Sequence, residues 1–263
     1  MYTIERSQIK GCSMKTARVM MLASLMTVSV WAEDLFVAAA ASLTDVMKAV
    51  EPLYSREHSR IKLTFVYGST GMLRTQILKG APCDVFIGAD LCFGGSETNL
   101  DEVVKAGSVR VVAANTLVAV AGKGYTPNGE GLSAWLADAR KIGIGNPASV
   151  PVGRYTKKLL ESEKLWKSSS AKFVQGTNVR EVLLWLRQGA VDVGFVYGSD
   201  LVAAKDAGLT ALAEYATPGG TVIELAGGVT KGSKNSAEAL MFLDYLKSPE
   251  AVSVLKVYGF VVQ

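Results

Sequence analysis

Histidine is almost missing from this chain: His58 is the single one in 263 residues. A nucleophile–base pair or a histidine-held metal centre has little to build on, since His58 lies in the polar stretch Ser55 to Arg60 with neither arrangement around it. Cysteine is scarce too, with Cys12, Cys83 and Cys92 the three. Cys83 and Cys92 flank Asp84 to Asp90, which reads as a buried strand. A strand of that length holds its ends roughly 16 Å or more apart, whereas a disulfide needs Cα atoms within about 7 Å. Free thiols are expected, packed as small hydrophobes. A large charge imbalance is also lacking. Of the net +4, most comes from the first 32 residues, where Arg6, Lys10, Lys15 and Arg18 face only Glu5, so the remainder carries about +1. With no basic block elsewhere, nucleic acid is excluded as a partner. No segment after residue 32 reaches eighteen unbroken apolar residues, the length that would argue for a membrane span, and there is no internal repeat or low-complexity tract.

What is present begins with a secretory signature. Met14-Lys15-Thr16-Ala17-Arg18 is a basic start, Val19 to Val30 an apolar run too short to cross a bilayer, and Val30-Trp31-Ala32 an acceptable cleavage site before Glu33. A membrane anchor or a core helix is the competing reading of the same run. The expectation is a signal peptide over residues 1–32, with residues 1–13 a candidate mis-assigned start, and a soluble periplasmic product. Cys12 precedes the apolar run, which argues against a lipoprotein anchor.

Beyond it, strand-like and helix-like runs alternate. Asp34 to Ala40, Ile61 to Tyr67 and Val85 to Ile87 read as strands, with helical spacing over Leu43 to Tyr54 and Met72 to Lys79. This βαβαβ order implies a parallel sheet covered on both faces. After a break the pattern restarts: strands at Thr116 to Ala121, Lys141 to Gly145, Lys172 to Gln175 and Asp192 to Tyr197, helices at Gly153 to Glu163 and Val179 to Gln188. A further strand at Thr221 to Val229 and helices at Ser236 to Leu246 and Pro249 to Tyr258 complete the chain. The expected architecture is α/β, with two Rossmann-like lobes: residues 33–113 and 220–263 in the first, 114–219 in the second. Two crossings, near 111–116 and 218–226, make a hinge.

Four short turns carry the functional signal, each ending a strand and opening a helix. They hold Ser42 (with Asp45 at capping-box spacing), Ser69-Thr70-Gly71, Val150-Pro151-Val152-Gly153, and Thr177-Asn178-Val179 (with Glu181 at the same spacing). A helix start presents unpaired N–H groups and the positive end of a dipole, so several converging starts can hold an anion. Each turn by itself also reads as a plain helix cap. Tyr197, at a strand end, reads either as a packing residue or as a hydroxyl reaching a cleft.

Taken together, the runs AAASLTDV, VYGSTGMLRTQILKGAPCDVFIGAD, GNPASVPVGRYTKKLLE, TNVREVLLWLRQGAVDVGFVYGSDLVA and FLDYLKSPEAVSVLKVYGF resemble the periplasmic molybdate-binding proteins of ABC transporters over residues 33–263. The resemblance implies a type II periplasmic-binding fold with an oxyanion, molybdate and often tungstate, in the cleft between lobes. It implies no cofactor, no direct protein ligand to molybdenum, a monomer, and an inner-membrane permease with its ATPase as partner. Carried over by position, the ligand hydroxyls fall on Ser42, Thr70 and Tyr197, with Ser69 a further candidate, and the backbone donors on Val152 and Val179. Thr70 stands where most relatives carry serine; it keeps the donor on a stiffer rotamer. Hydroxyls and N–H groups can all donate to a fully ionised tetrahedral dianion. Monohydrogen phosphate would leave a proton unpaired at about 1–3 kcal/mol. The alternatives are a binding protein for sulfate or a small organic anion, and, more remotely, an enzyme on the same scaffold. A ligand-sensing regulator would need a helix-turn-helix and an intracellular start.

Overall fold

The computed structural model describes residues 33–89, 102–215 and 223–262. The expected signal segment, Cys92 and part of the second expected crossing lie outside them. Two five-stranded sheets organise the described chain. The first is built from β1 (Glu33–Ala40), β2 (Ile61–Gly68), β3 (Val85–Ala89), β4 (Arg110–Asn115) and β10 (Ile223–Val229), in the order β2-β1-β3-β10-β4. The second holds β5 (Leu117–Ala121), β6 (Ile142–Gly145), β7 (Phe173–Gly176), β8 (Val193–Tyr197) and β9 (Thr210–Tyr215), in the order β7-β6-β8-β5-β9.

Neither sheet is wholly parallel, which corrects the expectation for the first. β1 pairs in parallel with β2 and β3, but β10 runs antiparallel to both β3 and β4. The reason is connectivity: β10 arrives from the second sheet after a long excursion, so no crossover helix constrains its direction. The second sheet repeats the plan, with β6 parallel to β7 and β8, and β5 antiparallel to β8 and β9. β4 and β9 were not foreseen as strands. The run Val111 to Ala121 is apolar apart from Asn115 and Thr116, and those two residues divide it between the sheets.

The helices cover the sheets with the faces their spacing predicts. α1 (Thr44–Glu57) buries Val46, Met47, Val50 and Tyr54. α6 (Val179–Gln188) buries Val179, Val182, Leu183 and Leu186, an i, i+3, i+4, i+7 stripe, and stops at Gly189, whose φ of 66° is the left-handed cap that glycine tolerates best. α2 (Thr70–Leu78), α3 (Gly131–Asp138), α4 (Pro151–Ser162), α5 (Trp166–Ser169) and α7 (Gly198–Ala203) complete the inner set. α8 (Ser236–Tyr245) packs on β10 and β4, and α9 (Pro249–Val257) on α1, so the last helices return to the first sheet. Cys83 is a free thiol that donates to the Val85 carbonyl at 3.1 Å, and burial pushes its pKa up to about 11. Among the described residues no helix is long and apolar enough to cross a membrane.

Register decides where the strands end. Ala40 lies beside Gly68 at the tips of β1 and β2, and Gly145 beside Gly176 at the tips of β6 and β7. The helices that follow these strands therefore begin at common levels, at the carboxyl edges where α/β sheets bind ligands.

Candidate functional site

Ser42 is not the helix cap that its spacing to Asp45 would allow. A 3-10 turn over Ala41–Leu43 intervenes, α1 proper starts at Thr44, and Leu43 is its N-cap without a side-chain bond. The Ser42–Asp45 capping box does not form, because Asp45 is drawn instead to Arg180. Ser42 is 2% exposed and its Oγ is buried with no hydrogen-bond partner among the described residues. Leaving such a hydroxyl unpaired costs about 1–3 kcal/mol, which a ligand acceptor would recover.

The second turn divides its two hydroxyls. Ser69 is the N-cap of α2, its Oγ accepting from Met72 N at 3.3 Å. Thr70 Oγ1 accepts from Ala89 N at 3.2 Å, which fixes the oxygen and leaves its proton to donate. In the third turn Pro151 stands at the first helical position and Val150 caps α4 without a side-chain bond, so the N–H of Val152 has no acceptor within the helix. In the fourth, Asn178 Oδ1 accepts from Glu181 N at 3.1 Å. The reciprocal arm reaches one residue further back than a capping box would, with Glu181 Oε2 accepting from Thr177 N at 2.6 Å and Thr177 Oγ1 at 2.9 Å. Tyr197 ends β8, buried, and its N–H donates to Asp200 Oδ2 at 3.1 Å.

These turns meet at one small cavity of about 20 Å³, lined among others by Ser42, Ser69, Thr70, Asn178, Val179 and Tyr197. A single water needs about 10–15 Å³ on this measure, so the space suits a compact ion and excludes a sugar, nucleotide or peptide. The starts of the 3-10 turn, α2, α4, α6 and α7 all border it. None of its twelve described lining residues is charged. Five of the six expected residues line the cavity. Val152 does not: it is fully buried and its side chain turns toward Gly145 of β6, while Val150 and Pro151 form that part of the wall. Asn178, read from sequence as a cap alone, lines the cavity as well as capping α6; its neighbour Val179 was the only signal for it.

The two sheets close over this cavity by direct contact. On one flank Gly71 N donates to the Ser149 carbonyl at 3.2 Å, and a Cβ added to Gly71 would stand 2.6 Å from that oxygen. On the other, Arg180 contacts Asp45, the Ser42 carbonyl and Asp200. Asp200 is fully buried, and burial pushes its carboxyl up to about 6 against the pull of Arg180 and the Tyr197 N–H. Among the described residues no three His, Cys, Asp or Glu side chains are grouped to hold a metal.

Two mixed α/β sheets closing on a small cavity ringed by helix starts define a type II periplasmic-binding fold, and the whole-chain similarities agree. The Azotobacter vinelandii periplasmic molybdate-binding protein superposes with a TM-score of 0.73 at 23% identity, covering 87% of this chain and 99% of that one, a likeness of fold. The chain belongs to the bacterial extracellular solute-binding protein family, which it matches over residues 35–261. It is 34% identical over 232 residues to a Bacillus subtilis protein provisionally named ABC transporter substrate-binding lipoprotein YvgL, covering 86% of this chain and 85% of that protein. It is 30% identical over 235 residues to the molybdate-binding protein ModA of Escherichia coli, covering 86% and 88%.

Proposed function

We propose that this protein captures molybdate, and tungstate with it, in the cavity between the two sheets and delivers it to an ABC permease driven by an ATPase. One observation carries the reading: a cavity with no charged lining, ringed by helix starts, in which the buried Ser42 Oγ has no partner. Neutral donors aimed at one point favour an ion that only accepts. Ser42, Ser69, Thr70 and Tyr197 would supply hydroxyls, and the first turns of α4 and α6, at Val152 and Val179, would supply N–H groups. The name of the E. coli relative supports molybdate as the ion.

On this reading the crossing from β4 to β5 between Asn115 and Leu117 acts as a hinge. The open form admits the ion and the closed form holds it, and the ion shifts the balance by binding the closed form better. Residues 1–32 direct the chain to the periplasm and are cleaved. The protein is a monomeric carrier, with no catalytic step and no cofactor.

The test is thermal unfolding of the residue 33–263 protein with molybdate, tungstate, sulfate or phosphate at matched ionic strength. An ion at a thousand times its dissociation constant adds about 4 kcal/mol, a rise of roughly 10 °C for a protein of this size. Molybdate and tungstate are expected to give that rise and sulfate and phosphate none. A rise with sulfate alone overturns the named ion, and no rise with any overturns the oxyanion reading.

A further inference from the structure

Arg180 occupies a position that helix preference does not explain. It is the second residue of α6, where the helix dipole disfavours a cation. Its side chain is 23% exposed and is held from three sides. Within its own lobe, Nε lies 3.0 Å from Oδ1 of the fully buried Asp200. Across the cleft, Nη1 donates to Asp45 Oδ2 at 2.6 Å and Nη2 to the Ser42 carbonyl at 3.1 Å. Arg180 does not line the cavity, but it adjoins Val179, which does, and it bonds the backbone of Ser42, whose Oγ is the orphan.

We infer that Arg180 is a positioning residue that latches the two lobes shut over the bound ion: anchored by Asp200, it grips Asp45 and the Ser42 carbonyl only when the cleft is closed. The inference rests on the oxyanion reading above. Its energetic logic follows from the buried groups. Closing the empty site strands the Ser42 hydroxyl and opposes closure, while the Arg180 contacts across the cleft offset that cost. Apparent affinity scales with the closed fraction, so breaking the latch weakens capture without removing any contact to the ion. Because the latch must break before release, the effect should fall on the dissociation rate.

The experiment measures sodium molybdate binding and its dissociation rate, with sodium sulfate as second probe, for the wild-type protein and the variants Asp45→Asn, Arg180→Gln and their double mutant. Asp45→Asn removes the partner charge across the cleft but keeps the Arg180–Asp200 pair, so the unliganded protein should keep its melting temperature. Losing a charge-assisted bond that is partly solvated should raise the dissociation constant about tenfold, nearly all through faster release. The double mutant should be no weaker than Arg180→Gln, since both remove one interaction. An Asp45→Asn protein that binds and releases as the wild type does overturns the latch alone, as does full additivity of the two changes. A wild-type protein that takes neither anion overturns the oxyanion reading and the latch with it.

Discussion

Ser42→Ala separates a ligand contact from a structural one. The Ser42 Oγ is buried and unpaired, so removing it takes no hydrogen bond from the protein itself. The unliganded protein should keep its stability to within about 1 kcal/mol, with any change toward greater stability, because an unsatisfied buried hydroxyl is itself unfavourable. Affinity should respond differently. A hydrogen bond to a charged group contributes about 1.5–3 kcal/mol, which is roughly a 10- to 150-fold rise in the molybdate dissociation constant. Ser248→Ala is the internal control. Its Oγ caps α9 through Ala251 N away from the cavity, so its loss should cost about 1 kcal/mol with or without the ion. Urea unfolding of both variants, without ion and with saturating molybdate, reads the two effects separately. If Ser42→Ala lowers the stability of the unliganded protein as much as it lowers affinity, or leaves affinity unchanged, the assignment of its hydroxyl to the ion is refuted.

Two further outcomes follow from the contacts between the sheets and from the buried acid. Gly71→Ala should raise the molybdate dissociation constant while the unliganded melting temperature holds, since the added Cβ would stand 2.6 Å from the Ser149 carbonyl, a contact that the proposed opening of the cleft would relieve; overpacking of about 1–3 kcal/mol makes the change roughly 5- to 150-fold by titration calorimetry. Asp200 has a folded pKa of about 6, above its unfolded value of about 3.9, so the folded state keeps a proton that the unfolded state releases. Its contribution is therefore full below about pH 4 and lost as pH rises through 6, by about 3 kcal/mol at most, and Asp200→Asn should flatten the pH dependence of urea midpoints over that window relative to wild type.

The local elements of this protein are written in its sequence. The stripe Val179, Val182, Leu183, Leu186 and the bounding Asn178 and Gly189 define α6 because spacing and end chemistry act within a few residues. The strand ends at Ala40 and Tyr197 and the turns that carry Ser42, Thr70 and Val179 were legible for the same reason. The resemblance placed five of its six candidate residues on the cavity wall. What was not legible depended on neighbours distant in sequence. The Ser42–Asp45 spacing matches a capping box, yet Asp45 turns to Arg180, 135 positions away. Likewise β10 runs antiparallel because of the path that brings it back. The sequence by itself determined the elements and the chemistry of the turns, since both arise from short-range backbone geometry and side-chain type. The tertiary structure alone decided which side chains serve as helix caps, that the Ser42 hydroxyl is left without a partner among the described residues, and that Arg180 spans the cleft, because satisfaction of a polar group depends on what folding brings to its side.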